Sequence, residues 1–179
     1  MGEEISDTGM FGRRGSSAAT ILLLLVILPC LIGLLGGFSL VTVLGFIISI
    51  LILQGLAVAA GVGLGIPPIL LIPLMVSVAA GIILGIYRIC DLFSERSQRV
   101  AGQIGRIKDL MDRHQALRTY GEFMLVLIMW IPGFGLYGTP VVAWILNWRG
   151  LQSILLMLTG WLLACIFVLT MTAGIRALL

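Results

Sequence analysis

Charge is scarce in this chain, and where it is missing matters more than how much there is. Only 11% of the 179 residues are charged and 60% are hydrophobic, whereas soluble domains carry about 25% charged residues. Positions 15–87, 73 in a row between Arg14 and Arg88, hold no acid and no base. Two further gaps of 26 positions cover 123–148 and 150–175. A membrane-spanning helix needs about 20 mainly apolar residues, so each gap is long enough for at least one. A soluble fold of this size has too little interior to hide such segments. The expectation is an all-α polytopic membrane protein.

Other absences exclude function classes. Cys30, Cys90 and Cys165 are isolated, without Cys-x-x-Cys or Cys/His spacing. That argues against a zinc site, any other metal centre and a disulfide framework. No nucleophile stands beside a base and no phosphate-binding loop is present, so neither an enzyme nor a cofactor is expected. A net charge of +3 would suggest nucleic acid in a soluble protein. Here the basic residues gather in one stretch where membrane topology accounts for them, and nucleic acid is not expected as a partner. Arg13-Arg14 before ILLLLVIL resembles the start of a signal peptide, but no small-x-small cleavage site follows. A retained helix behind a polar tail, residues 1–16, is the expectation.

What charge there is sets the sidedness. Residues 88–118 carry Arg88, Arg96, Arg99, Arg106, Lys108, Arg113 and Arg118 against four acids. Short loops rich in Lys and Arg stay in the cytoplasm, and Arg13 and Arg14 place the N-terminus there too. An even number of crossings must then lie between them. Two crossings need about 40 residues and four about 80; the gap of 73 suits two spans plus a segment that enters and turns back. The first membrane half, 17–89, is read as spans near 18–37 and 68–88 with a re-entrant hairpin at 39–67. A cytoplasmic basic amphipathic segment follows at 90–119. The second half, 120–179, is read as a hairpin at 121–148 and a span at 151–173. Three full spans in the first half is the rival arrangement. The location implied is the cell membrane, multi-pass.

Glycine and proline mark the expected breaks. GVGLGIP at 61–67 is echoed by GFGLYGTP at 133–140. Gly61 and Gly63 recur as Gly133 and Gly135; after one inserted residue, Gly65 and Pro67 recur as Gly138 and Pro140. Paired interruptions of hydrophobic segments point to a transporter site built from an inverted repeat. Irregular backbone at membrane depth survives only where protein or water satisfies it.

IPGFGLYGTPVVAWILNWRG and QGLAVAAGVGLGIPP together resemble the two hairpins of the small multidrug export protein family, a distant branch of the DedA/VTT superfamily. The resemblance covers about residues 40–175. It implies two opposed re-entrant helical hairpins with flanking transmembrane helices. It also implies movement of a small amphipathic molecule or of a lipid, including lipid-linked and polyprenyl phosphates, with proton coupling. The chain departs from the family's pattern in two places. Gln54 stands where an acid and an arginine are usual, and no arginine follows Pro132-Gly133.

The candidate substrate-binding positions are therefore Gln54, Gly61, Gly63, Gly65, Pro67, Pro132, Gly133, Gly135, Gly138 and Pro140. Each has a plainer reading. The glycines could serve only close helix packing, and Gln54, the one amide in the 73-residue gap, could bond across helices or line a cavity. Glu122 is a candidate for proton coupling or a helix-terminal cap. Trp130, Trp144, Trp148 and Trp161 read as interfacial tryptophans. Val100, Ile104, Ile107 and Met111 form one helical face, for membrane lipids or for a homodimer contact; His114 beside it reads as solvated. Two functions stay open, a transporter or translocase and a non-transporting scaffold or homo-oligomeric interaction protein.

Overall fold

A computed structural model describes residues 18–96, 115–131, 133–148 and 150–178. Among these residues there is helix and turn but no strand. Four stretches are apolar enough, by length and composition, to cross a membrane: Ala18–Leu35, Leu40–Gly63, Pro68–Ser94 and Leu151–Thr172.

Helix α1, Ala18–Leu35, carries a π-helical stretch at Leu23–Ile27. Pro29 has no N–H for the Leu25 carbonyl and its ring crowds that turn, and the wider turn upstream accommodates it. Ser77 from a later helix donates to the Leu24 carbonyl at 2.7 Å. Gly37, at φ 80°, ends the helix, and Ser39 caps the next one by accepting from the Thr42 N–H at 3.2 Å.

Helix α2, Leu40–Leu53, stops at Gln54, whose backbone sits at φ 54°, ψ −125°. A single 3-10 turn, Gln54–Leu56, leads into α3, Ala57–Gly63. A Cβ built on Gly61 would lie 2.7 Å from Phe46 Cε2. In one straight helix those residues would be about 22 Å apart. The chain has therefore reversed, and α2 and α3 are the arms of a helical hairpin. Leu40–Gly63 qualifies as a span by composition, but the reversal leaves no single helix of that length. Gly65, at φ 78°, closes α3, and Pro68 opens α4, Pro68–Arg96.

The second half repeats this order. Helix α5, Gln115–Ile128, is followed by a turn containing Gly133 at φ 83°, then α6, Gly135–Ile145. A Cβ on Gly121 would lie 2.5 Å from the Trp148 ring at Cη2, so this pair of arms has also folded back. Asn147, at φ 61°, closes α6 before α7, Leu151–Leu178. The two closures match bond for bond. Leu64, Gly65 and Ile66 donate to Ala60, Val62 and Gly61; Leu146, Asn147 and Trp148 donate to Val142, Trp144 and Ala143. Both are Schellman ends, as is the end of α1.

Packing interlocks the halves. The long helices α4 and α7 touch each other, α6 lies on α4, and α3 with its 3-10 turn lies on α7. Phe46, Ile50, Leu71, Met75, Leu136 and Met157 are buried between them. The outer faces keep Leu35, Val41, Ile52, Ile69 and Leu127 exposed, an apolar exterior that suits lipid rather than water.

Of the expected breaks, the one at Gly133 is present, and the others are not where the glycines and prolines placed them. The first hairpin turns at Gln54, while Gly61 and Gly63 lie inside α3 and Gly65 in the turn before α4. Gly61 is needed there because Phe46 and Leu71 occupy the space a side chain would take. Pro140 lies inside α6 and does not break it. The 72-residue echo consequently aligns unlike positions, since Gly133 is at a hairpin tip and Gly61 is in a helix. The span expected to end near 88 continues to Arg96, so residues 90–96 are helical, as are 115–119. The amphipathic face at 100–111, His114 and Pro132 lie outside the described residues.

Candidate functional site

The two reversals meet. Gln54 at the tip of the first hairpin points its carboxamide at the tip of the second, and Nε2 donates to the Gly133 carbonyl at 3.1 Å. Gln54 is 6% exposed. One turn into α6, the Tyr137 hydroxyl donates to the Leu51 carbonyl in the last turn of α2. The last carbonyls of a helix lack intrahelical donors, so this bond satisfies a group that the break releases. Each hairpin thus contributes one donor and one carbonyl to the junction.

The backbone makes this possible at a cost. Gln54 holds a conformation that residues other than glycine rarely adopt, worth about 1–3 kcal/mol of strain. Gly133 reaches its positive φ without that penalty. Gly135 follows so closely on the turn that a Cβ would strike the Met129 carbonyl, so only glycine lets α6 start there. Gly138 similarly faces the Phe134 ring.

Helix α7 backs the junction. A Cβ on Gly55 would lie 3.9 Å from the Trp161 ring, in ordinary contact. Trp161 is 2% exposed, and its indole Nε1 has no hydrogen-bond partner among the described residues. It is the eleventh of the 22 residues in Leu151–Thr172, halfway along the helix. The junction therefore lies level with the middle of that apolar stretch. Trp161 is not the interfacial tryptophan the sequence suggested.

A second polar cluster sits toward the far ends of α4 and α6. Trp144 Nε1 donates to Asp91 at 2.8 Å, and the Tyr87 hydroxyl donates to the Trp148 carbonyl at 3.3 Å. This cluster ties α4 to α6, the arm of the opposite half. Trp144 and Trp148 belong to it, and both are buried in the protein.

The structure brings together Gln54, Gly133 and Gly135 from the sequence candidates. Gly138 and Pro140 continue from them along α6. Gly61, Gly63, Gly65 and Pro67 lie along α3 and beyond its end, away from the junction. Residue 122 follows Gly121, which packs on Trp148, so it belongs to the open end of its hairpin and not to the tip. Tyr137 and Trp161 were missed. A tyrosine in an uncharged gap needs a partner for its hydroxyl, and a tryptophan at the centre of a span is out of place as a belt residue; either signal would have found them. Among the described residues no group of three His, Cys, Asp or Glu side chains could hold a metal.

The described residues, helical throughout with an apolar exterior and four stretches apolar enough to cross a membrane, define a multi-pass helical membrane protein. No family model, no curated protein and no solved structure matches the chain.

Proposed function

We propose that the chain is a membrane transporter of the DedA-like kind, moving small amphipathic molecules or lipids by alternating access between two re-entrant hairpins. The observation that carries this reading is the tip-to-tip contact of Gln54 with Gly133. Broken helices that converge at mid-depth on a repeat interface are the usual construction of a transporter site. A scaffold has no need to place its irregular backbone there.

The charge pattern supplies the orientation. Helix α1 leaves the cytoplasm after Arg13 and Arg14, the first hairpin dips in from outside and returns, and α4 brings Arg88 and Arg96 back to the cytoplasmic face. The second hairpin then dips in from the cytoplasm, Arg149 stays inside, and α7 carries the C-terminus out. The two hairpins are thereby inverted with respect to each other. Their contact closes the path, and opening it breaks two hydrogen bonds. Each is worth about 1 kcal/mol net, so an open state populated at the level of a few per cent is within reach of thermal motion.

The test is reversible locking. Gln54→Cys and Gly133→Cys, in a chain whose three native cysteines are replaced, are joined with a bifunctional methanethiosulfonate in proteoliposomes. Solute or lipid movement that stops on cross-linking and returns on reduction supports the reading. Absence of any movement across a broad panel of amphiphiles and lipids refutes it.

A further inference from the structure

We propose that the hairpin junction binds an uncharged amphiphile whose hydroxyl or amide head replaces the Gln54–Gly133 and Tyr137–Leu51 hydrogen bonds. This rests on the transport reading above and narrows its substrate.

The first support is electrostatic. Leu51, Gln54, Gly133, Tyr137 and Trp161 all fall within the three gaps that contain no Asp, Glu, Lys, Arg or His. Residue 122 is at the other end of its hairpin, where Gly121 meets Trp148. Asp91 is held by the Trp144 indole in the separate cluster at the helix ends. A phosphate head drawn into the middle of the bilayer would meet no opposite charge from these junction residues, and an unpaired charge at that depth is strongly disfavoured. This separates the chain from the lipid-phosphate chemistry that its resemblance suggests.

The second support is the set of neutral groups present. Gln54 brings a carboxamide, Tyr137 a hydroxyl, and Leu51 and Gly133 main-chain carbonyls. These hold one another in the closed arrangement, so a head carrying both donors and acceptors can exchange for them bond for bond. Among the described residues the Gln54 side chain makes one hydrogen bond, through Nε2, which leaves Oε1 to accept. Trp161 adds a buried indole N–H without a partner among the described residues, on a ring whose six-membered edge, Cζ3 and Cη2, faces Gly55. Buried donors are almost always paired, and a ligand acceptor is a natural partner for this one. Ser49, Thr159 and Thr172 each bond back to a carbonyl of their own helix, a route an indole does not have, whereas the buried Thr139 and Ser153 hydroxyls share with Trp161 the lack of a partner among the described residues.

The experiment compares two fluorescent lipids in proteoliposomes of the full chain, read by dithionite quenching of the outer leaflet. One is glucosylceramide, uncharged and bearing hydroxyls and an amide; the other is phosphatidylserine, which carries a phosphate. The proposal expects glucosylceramide to move at least about 10-fold faster, and Trp161→Phe and Tyr137→Phe each to slow it about fivefold, the scale of one hydrogen bond. Circular dichroism and gel filtration confirm that the variants are folded. Faster movement of phosphatidylserine overturns the proposal and leaves the transport reading standing. An unchanged rate in both folded variants removes the junction as the site. If neither lipid moves, and no other amphiphile does, the transport reading falls and this proposal with it.

Discussion

The two hairpin tips solve the same problem with different residues. The second turns on Gly133 at φ 83°, in open space. The first turns on Gln54 at φ 54°, although a glycine, Gly55, is next to it. If reversal were all that mattered, a glycine at 54 would do it with less strain. Strained non-glycine backbone tends to persist where the side chain has a task, and the Gln54 side chain is the one that reaches across to the other tip. The first tip supplies a side chain and the second supplies a carbonyl, so one tip is held through its side chain and the other through its backbone.

Substitutions can break that comparison. The largest effect belongs to Gly135→Ala, where the new Cβ runs into the Met129 main-chain carbonyl. A loss of about 3 kcal/mol or more is expected, seen as a collapse of the thermal transition in detergent and of the monodisperse yield. Gly63→Ala, in open space on α3, serves as the control and should change little. Gly133→Ala meets no neighbour and pays only for its backbone, about 1–2 kcal/mol, measured as a lower midpoint in the same melt. Tyr137→Phe keeps the ring and loses the bond to Leu51, about 1 kcal/mol, with faster hydrogen exchange at the end of α2 as the specific sign. The smallest change in stability is expected for Gln54→Gly. Relief of strain offsets the lost hydrogen bond, leaving the melt within about 0.5 kcal/mol, while transport falls. A Gln54→Gly protein that transports normally would make Gln54 merely a turn residue like its counterpart.

Much of the architecture was legible because lipid imposes a strict grammar. The uncharged gaps located α1, α4 and α7, and Arg14 against Arg88 demanded an even number of crossings, which the reversal at Gln54 accommodates. The second tip was legible at Gly133 because a positive φ favours glycine. The first was misplaced for the converse reason. Its turn residue is a glutamine stabilised by a partner 79 positions away, and local composition carries no trace of such a bond. Gly61 misled in the same way, since a glycine that admits Phe46 looks in sequence like one that breaks a helix. The pairing of Gln54 with Gly133, the Tyr137–Leu51 bond and the unpartnered Trp161 are tertiary facts, set by how α7 backs the junction.

In the proposed arrangement residues 40–63 turn back rather than cross. Ser39→Cys and Gly63→Cys, each introduced singly into a chain with Cys30, Cys90 and Cys165 replaced, can be labelled in sealed cells with a membrane-impermeant maleimide. Both positions are exposed, at the two ends of the hairpin. Both are expected to label from the outside. If one labels only from outside and the other only after the membrane is opened, the segment crosses, and the paired-hairpin account is wrong.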